Sequence, residues 1–364
     1  MIKFIVVIIP VFFLSYFGFT QKLVKSYYTY SDNKIKESYY AFVNDQDTIT
    51  QGHYIFYDKK GNKKQEGDFV RNLIEGEWKI YYENGNLKSL FHFQKNKKAG
   101  KFTHFYITGE KEQEGVYKNG FPEGKLITYY KNGQAKIIGY YINGVLNGKV
   151  ENFREDGTLE DVQNYEFNKP VGFWEAYYET GELNYKGKKI NNRFEDSLYV
   201  YYKNGTLERK CYYTGGLLNG KLTAYYKNGS LMAEYHYKNG ILNGNYISYH
   251  NTDKIAETGG YKNNLRTGHW KSFYPDGHLF SEGNYKNGMF DSDWVVYFPG
   301  GEVKQKSFFI DGKKEGKQII FYENGKIKEQ TEYKNGKKNG KSAFYKENGD
   351  IKKTLIYRNN KLQK

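Results

Sequence analysis

Rings and cations are the residues of this chain that could do chemistry. Four tryptophans, 39 tyrosines and 25 phenylalanines stand among 56 Lys and Arg and 41 Asp and Glu, for a net charge of +15. Tyr and Trp dominate contact surfaces in protein recognition, and a positive excess suits an acidic surface or polymer where the cations cluster. Catalysis asks for something else, a few titratable groups that converge in a pocket. The seven histidines are His53, His92, His104, His236, His250, His269 and His278, and most replace a variable residue of a recurring pattern. His250 stands where Tyr is usual, and His269 where Lys is. No His-Glu-x-x-His, paired-cysteine, nucleophile-elbow or phosphate-loop arrangement occurs. Cys211 is the single cysteine, so no intrachain disulfide can form and the thiol reads as small apolar filler. The expectation is a non-enzymatic chain with no metal and no cofactor.

The elements that must position the rings follow from a strict internal period. A turn glycine recurs every 24 residues, at Gly61, Gly85, Gly109, Gly133, Gly157, Gly181, Gly205, Gly229, Gly277, Gly301, Gly325 and Gly349, with Asp253 the one replacement. Residues 30–40 look like the closing half of a further copy, joined through a loop around residues 44–50. A period this short accommodates two strands and two turns, not two packed helices. The pairs Asn84-Gly85, Asn132-Gly133, Asn204-Gly205 and Asn228-Gly229 read as two-residue hairpin loops of type I′, in which both residues take positive φ. Eleven residues further on, each copy has Gly or Asn, as at Gly120, Gly144, Asn72 and Asn96, the residues that most easily adopt left-handed backbone. A closing glycine follows, as at Gly76, Gly100 and Gly124; Asp196 and Ser292 replace it in two copies.

Strand alternation assigns the faces. If Asn-Gly is a two-residue loop, Tyr82, Tyr130, Tyr178, Tyr202 and Tyr226 share a face with Trp78, Trp174, Trp270 and Trp294, and with a further ring eight residues after the turn, such as Tyr117 or Tyr285. That face is apolar and is the expected partner-binding surface. On it Trp174 lies across from Gly187 and Trp270 across from Gly283, a ring covering a cross-strand glycine. The other face carries the first ring of each pair beside Lys88, Lys136, Glu160, Glu208, Lys304 and Lys328. Lys101, Lys125 and Lys149 recur just after the closing glycine, about 10 Å apart if two strands separate them. They are either a possible anion-binding row or solvated strand starts that keep the sheet edges unattractive. The fold class is therefore all-β, an elongated antiparallel meander of about 13 hairpins and about 26 strands, running roughly 125 Å, without a helical layer.

The aromatic pair, Asn-Gly, an aliphatic, then Glu-Gly-x-Tyr-x-Asn-Gly and a closing Gly, seen most fully in Glu114, Gly115, Tyr117, Asn119, Gly120 and Gly124, resembles the MORN repeat in its bacterial variant form. The resemblance covers residues 30–364 and implies a ladder of β-hairpins acting as a protein-binding or membrane-associating platform. Many bacterial relatives of this kind carry an antitoxin-like label, which the residues neither support nor explain. Ahead of the repeats, Lys3 and an apolar stretch from Phe4 to Phe19 match a secretory signal peptide, with cleavage after Thr20. The domain reading is a signal peptide at 1–20, a partial repeat and loop at 21–50, and the repeat array at 51–364. An exported protein follows, periplasmic, cell-surface or secreted, with an uncleaved membrane anchor as the alternative. Cleavage leaves no transmembrane span, and export disfavours nucleic acid. The expected partner is a protein or peptide along the aromatic groove, or alternatively a polysaccharide or anionic surface using ring platforms and the Lys row. Salt separates the two, since screening weakens the second far more.

Overall fold

The computed structural model describes residues 20–29, 33–44 and 47–363. The expected signal segment lies outside the described residues, save for Thr20, where the first strand begins. Among the described residues there are 33 strands and no helix, and the chain divides into two compact units at Gly181. The first holds fifteen strands, β1 (Thr20–Tyr27) to β15 (Lys169–Tyr177), and the second eighteen, β16 (Leu183–Ile190) to β33 (Lys361–Leu362). In each unit the strands follow one another in an antiparallel meander. The strand count exceeds the expected 26 because a closing-loop residue breaks four strands in two, as Lys97–Lys98 and Gly100–Phe105. Two N-terminal strands and the short Lys361–Leu362 piece supply the rest.

The turns exchange the conformations expected of them. At Asn84-Gly85 only the glycine has positive φ, 88°. The Tyr82 N–H donates to the Asn86 carbonyl at 2.9 Å and the Gly85 N–H to the Tyr82 carbonyl at 3.1 Å. This is a three-residue loop, a type I turn closed by a left-handed glycine. Gly133, Gly205, Gly229 and Gly325 repeat it at 86°, 82°, 90° and 79°. The two-residue loop with both φ positive is the second turn: Asn119 and Gly120 at 53° and 91°, between paired Lys118 and Phe121. Asn alone cannot tell the two loops apart, because it also serves the first as a side-chain acceptor: Asn84 Oδ1 takes the Asn86 N–H at 3.1 Å.

The longer first loop inserts a bulge. Tyr81 pairs with Leu87 but Ile80 with Ser89, so Lys88 is passed over and turns toward the other side. A second irregularity sits at the closing glycine, where Asp68 pairs with Glu75 but Gly67 with Trp78. Gly76 takes φ 78° there, and its replacements Asp196 and Ser292 hold 66° and 61°, a conformation costly for an L side chain.

The core lies along the middle of one face, which we call the inner face. In the first unit Trp78, Phe91 and Phe102 are buried and bordered by Tyr54, Phe69 and Phe93. In the second, Leu198, Val200 and Cys211 form one buried group, and Trp270 is 1% exposed between Tyr246, Tyr261 and Tyr285. Burial raises the Cys211 thiol above its ordinary pKa, in keeping with its role as filler. Each fully buried large apolar side chain contributes about 1.5–3 kcal/mol, and all of it comes from adjacent strands, as a repeat ladder requires.

Candidate interaction surface

The tryptophans expected to greet a partner are largely packed into the protein itself. Trp78 is 6% exposed and Trp270 1%, while Trp174 and Trp294 are half-buried. Trp270 is in register with Gly283 as expected, yet its ring leans the other way, over Gly259. A Cβ on Gly259 would stand 2.1 Å from the indole. Trp78 covers Gly67 and Trp294 covers Gly283 in the same sense, so the ring lies over the glycine eleven residues before it. Gly187 instead faces Leu198 and Phe194.

The second rings of the pairs have a different task. Tyr82 Oη donates to the Phe105 carbonyl at 2.7 Å, Tyr130 to Phe153 at 2.8 Å, Tyr202 to Tyr225 at 2.9 Å and Tyr226 to Tyr249 at 2.8 Å. Each bond spans 23 residues and fastens one repeat to the next. Two replacements of Tyr keep the bond: Arg154 donates to the Tyr177 carbonyl at 2.7 Å, and His250 Nε2 lies 3.0 Å from that of Phe273. Tyr178 is half-buried at the same position. The asparagine of Asn-Gly adds a parallel bond, from Asn132 Nδ2 to the Glu155 carbonyl at 2.7 Å. Lys88, Lys136, Lys304 and Lys328, expected beside the first rings, lie over the second, with Nζ 5.5, 5.5, 5.5 and 5.4 Å from Tyr82, Tyr130, Phe298 and Tyr322. The bulge residue is what moved them.

The first rings point to the outer face, and several of the tyrosines among them donate to carboxylates there. Tyr129 donates to Glu114 at 2.6 Å, Tyr297 to Glu282 at 2.7 Å, and Tyr81 to Glu66. Burial and the adjacent carboxylate push the Tyr129 and Tyr297 phenols up to about 12. Lys101, Lys125 and Lys149 are exposed, in register with Val116, Tyr140 and Asn164. Lys149 is ion-paired to Glu151 at 2.6 Å. An open depression of about 620 Å³ lies in the second unit, where Gly260 leaves a gap between His236, Asn245 and His269. Among the described residues no three His, Cys, Asp or Glu are placed to hold a metal ion, and no helix is long and apolar enough to cross a membrane.

What remains uncovered is an edge. A meander gathers alternate turns on opposite edges, and half of the exposed large apolar side chains, 11 of 22, flank or form the two-residue turns. They are Val70, Leu73, Phe121, Ile142 and Phe167 in the first unit. In the second they are Ile190, Leu217, Ile241, Leu265, Met289 and Ile310. Sequence reasoning missed this edge because each residue is a lone aliphatic next to Asn-Gly, and only the topology collects them.

These features define a hairpin-repeat protein whose recurring residues join each repeat to its neighbours. Five segments, 74–95, 122–143, 218–239, 266–287 and 314–335, match the family described as MORN repeat variant, and their starts differ by whole multiples of the 24-residue period. The chain is a MORN-repeat protein. Among solved structures, TcdB2-TccC3 aligns with 93% of this chain and 23% of its own at 10% identity, with a TM-score of 0.18. The Photorhabdus luminescens Tc holotoxin pore aligns with 93% and 24% at 11% identity, with a TM-score of 0.16. The chain therefore spans about a quarter of the length of these structures. No curated protein matches it.

Proposed function

We propose that the protein is an exported, non-enzymatic scaffold that binds a protein partner along the apolar edge carried by its two-residue turns. The observation that carries this reading is the run Leu217, Ile241, Leu265 and Met289, four successive repeats 52%, 42%, 46% and 44% exposed. Two strands of ~4.8 Å separate successive members, so the run is a regular ladder of apolar contacts. Isolated exposed aliphatics are ordinary, whereas an ordered series on one edge is the pattern of an interaction surface. The inner rings are engaged in packing and in fastening repeats, so the partner surface moves from the expected aromatic groove to this edge. Export rests on the N-terminal apolar stretch.

Two measurements test the proposal. Mass spectrometry of the mature protein should find Gln21 as its first residue, and an intact Met1 in the cell interior removes the exported reading. Crosslinking in the native host should capture a partner that Leu217→Asp/Ile241→Asp/Leu265→Asp loses while Lys101→Glu/Lys125→Glu keeps it. Capture unchanged by the edge substitutions in a folded protein defeats the assignment.

A further inference from the structure

The inner face changes character toward the end of the second unit. The buried side chains of its central row elsewhere are apolar, as at Trp78, Phe91, Phe102, Val150, Leu198, Cys211 and Trp270, but from Val303 onward the row reads Ser307, Gln318, Thr331 and Ser342, with 3%, 7%, 0% and 0% exposure. These side chains satisfy one another: Gln318 Nε2 donates to Ser307 Oγ at 3.1 Å, and the Thr331 and Ser342 hydroxyls lie 3.0 Å apart. A polar row forgoes the apolar burial that stabilises the other repeats. Beside it runs an alternation of cations and rings. Lys314 Nζ lies 5.0 Å from the Tyr333 centroid, Lys338 is in register with Tyr333, and its Nζ lies 5.4 Å from the Tyr357 centroid.

Charge is concentrated in the same stretch. Residues 303–364 contain 17 Lys and Arg against 7 Asp and Glu, a net +10 of the chain's +15. On the inner face Lys338 has a carboxylate, Glu329, at 4.0 Å. Lys314 is in no ion pair among the described residues, although it is half-buried. Burial, and then the charge of Lys338, lower its pKa, and the charge of Glu329 offsets this only in part. Two like charges on one half-buried face are stabilised by an anion that joins them.

We propose that the inner face of residues 303–358 binds a linear acidic polysaccharide, with Lys314 and Lys338 taking successive carboxylates along the Tyr333–Tyr357 ladder. The spacing favours a glycan. Equivalent lysines of adjacent repeats are separated by two strand spacings, roughly 10 Å, which suits a chain carrying a carboxylate on alternate sugars. Each strand of a DNA duplex presents a phosphate every ~3.4 Å of helix axis, far more densely. Lysine ammoniums already lie over the rings, so base stacking, on which single-strand binding relies, is blocked. A bilayer is flat, whereas these cations lie down among half-buried rings.

The test is titration of the full chain with hyaluronate at low salt and at 0.5 M salt. Neutral dextran, single-stranded DNA and vesicles containing phosphatidylserine serve as competing probes. Hyaluronate should bind, dextran should not, and high salt should release it. Lys314→Gln/Lys338→Gln should weaken binding about tenfold or more. Lys317→Gln/Lys341→Gln removes the same charge from the outer face of the same repeats and should change binding less than about twofold. Lys314→Arg/Lys338→Arg keeps the charge and should retain binding, which separates ligand contact from folding. Equal losses from the inner and outer pairs reduce the effect to net charge and overturn the proposal. So does preference for DNA or vesicles over hyaluronate, or an absence of hyaluronate binding. None of these outcomes bears on the apolar edge, which lies on other residues.

Discussion

Gly259 and Gly260 are neighbours on opposite faces, and alanine at each should have opposite effects. Neither takes a positive φ, so backbone strain does not enter. A Cβ at Gly259 would meet Trp270 Cδ2 at 2.1 Å, Cε2 at 2.2 Å and Cγ at 2.6 Å. Carbon atoms rest about 3.5–4.0 Å apart, so the indole must shift by more than ~1 Å. It has little room, being 1% exposed, with Arg266 4.0 Å from its centroid and Tyr261 at 5.2 Å. Overpacking of this kind costs about 1–3 kcal/mol. The shift also disturbs the indole N–H, which is 3.2 Å from the Gly260 and Thr267 carbonyls and contributes about 1 kcal/mol. Against this, losing a glycine restricts the unfolded chain by about 0.4–1 kcal/mol. Gly259→Ala should therefore destabilise by about 2–3 kcal/mol. At Gly260 the nearest atom to a new Cβ is the Thr267 carbonyl oxygen at 3.5 Å, ordinary contact, so Gly260→Ala should gain about 0.4–1 kcal/mol. Urea denaturation gives the totals, and hydrogen exchange by mass spectrometry shows where protection is lost. The loss should centre on residues 231–297 and spare the first unit. Equal stability of the two variants, or a loss spread evenly through residues 48–177, would refute the reasoning.

Three further outcomes are expected. Ser292→Gly and Asp196→Gly relieve left-handed backbone at 61° and 66° and should each raise the urea midpoint, by about 1 kcal/mol in stability. Tyr130→Phe removes the 2.8 Å bond to the Phe153 carbonyl and should cost about 1 kcal/mol, with faster amide exchange confined to the adjoining repeats, while Tyr140→Phe, at an exposed ring, should be neutral. The third concerns acid: Glu114 and Glu282 are held below the ordinary 4.5 by hydrogen bonds from Lys111 and Tyr297 respectively, and Glu66 is also lowered. A depressed carboxylate stabilises fully above its unfolded value, and the stabilisation is lost as pH falls through the folded value. The melting temperature should therefore drop below about pH 4.5, and less steeply in a Glu66→Gln/Glu114→Gln/Glu282→Gln variant; identical acid profiles would remove these carboxylates from the account.

The period and strand content were legible because both rest on backbone demands that few residues meet. Gly or Asn at every second turn, and a ring four residues before every first-turn position, leave no reading but a hairpin ladder. Faces near the first turn were not legible. Asn-Gly is compatible with a loop of two residues or of three, and the choice shifts the pairing of Tyr81 and Leu87 by one and turns Lys88 to the other ring. Deeper pairs such as Trp270 with Gly283 were read correctly because the bulge absorbs the shift. The direction in which the indole leans could not be read, since glycines stand on both sides of the Trp270 strand, at Gly259 and Gly283.

The fasteners also explain why the repeat drifts in composition but not in length. Lys95 N–H reaches Glu75 Oε2 across 20 residues at 2.8 Å, Ile74 N–H reaches Asn96 Oδ1 across 22 at 2.6 Å, and Tyr82 reaches the Phe105 carbonyl across 23. These bonds sit at both edges of the sheet and share one register. A single inserted residue within a repeat would displace the bonds that cross it, at about 0.5–1.5 kcal/mol each. Substitution between the fastening positions disturbs none of them. Variation therefore falls on the turn-edge aliphatics, the outer-face cations, the central inner row and the inner-face position beside the rings that holds Arg266, Lys314 and Lys338. The change from Trp270 to Gln318, two repeats apart in the same row, shows how far such a position can move while the ladder holds. Binding specificity in a chain built this way must be written in those free positions, and the motif residues that make the repeat recognisable are the ones least available to a ligand.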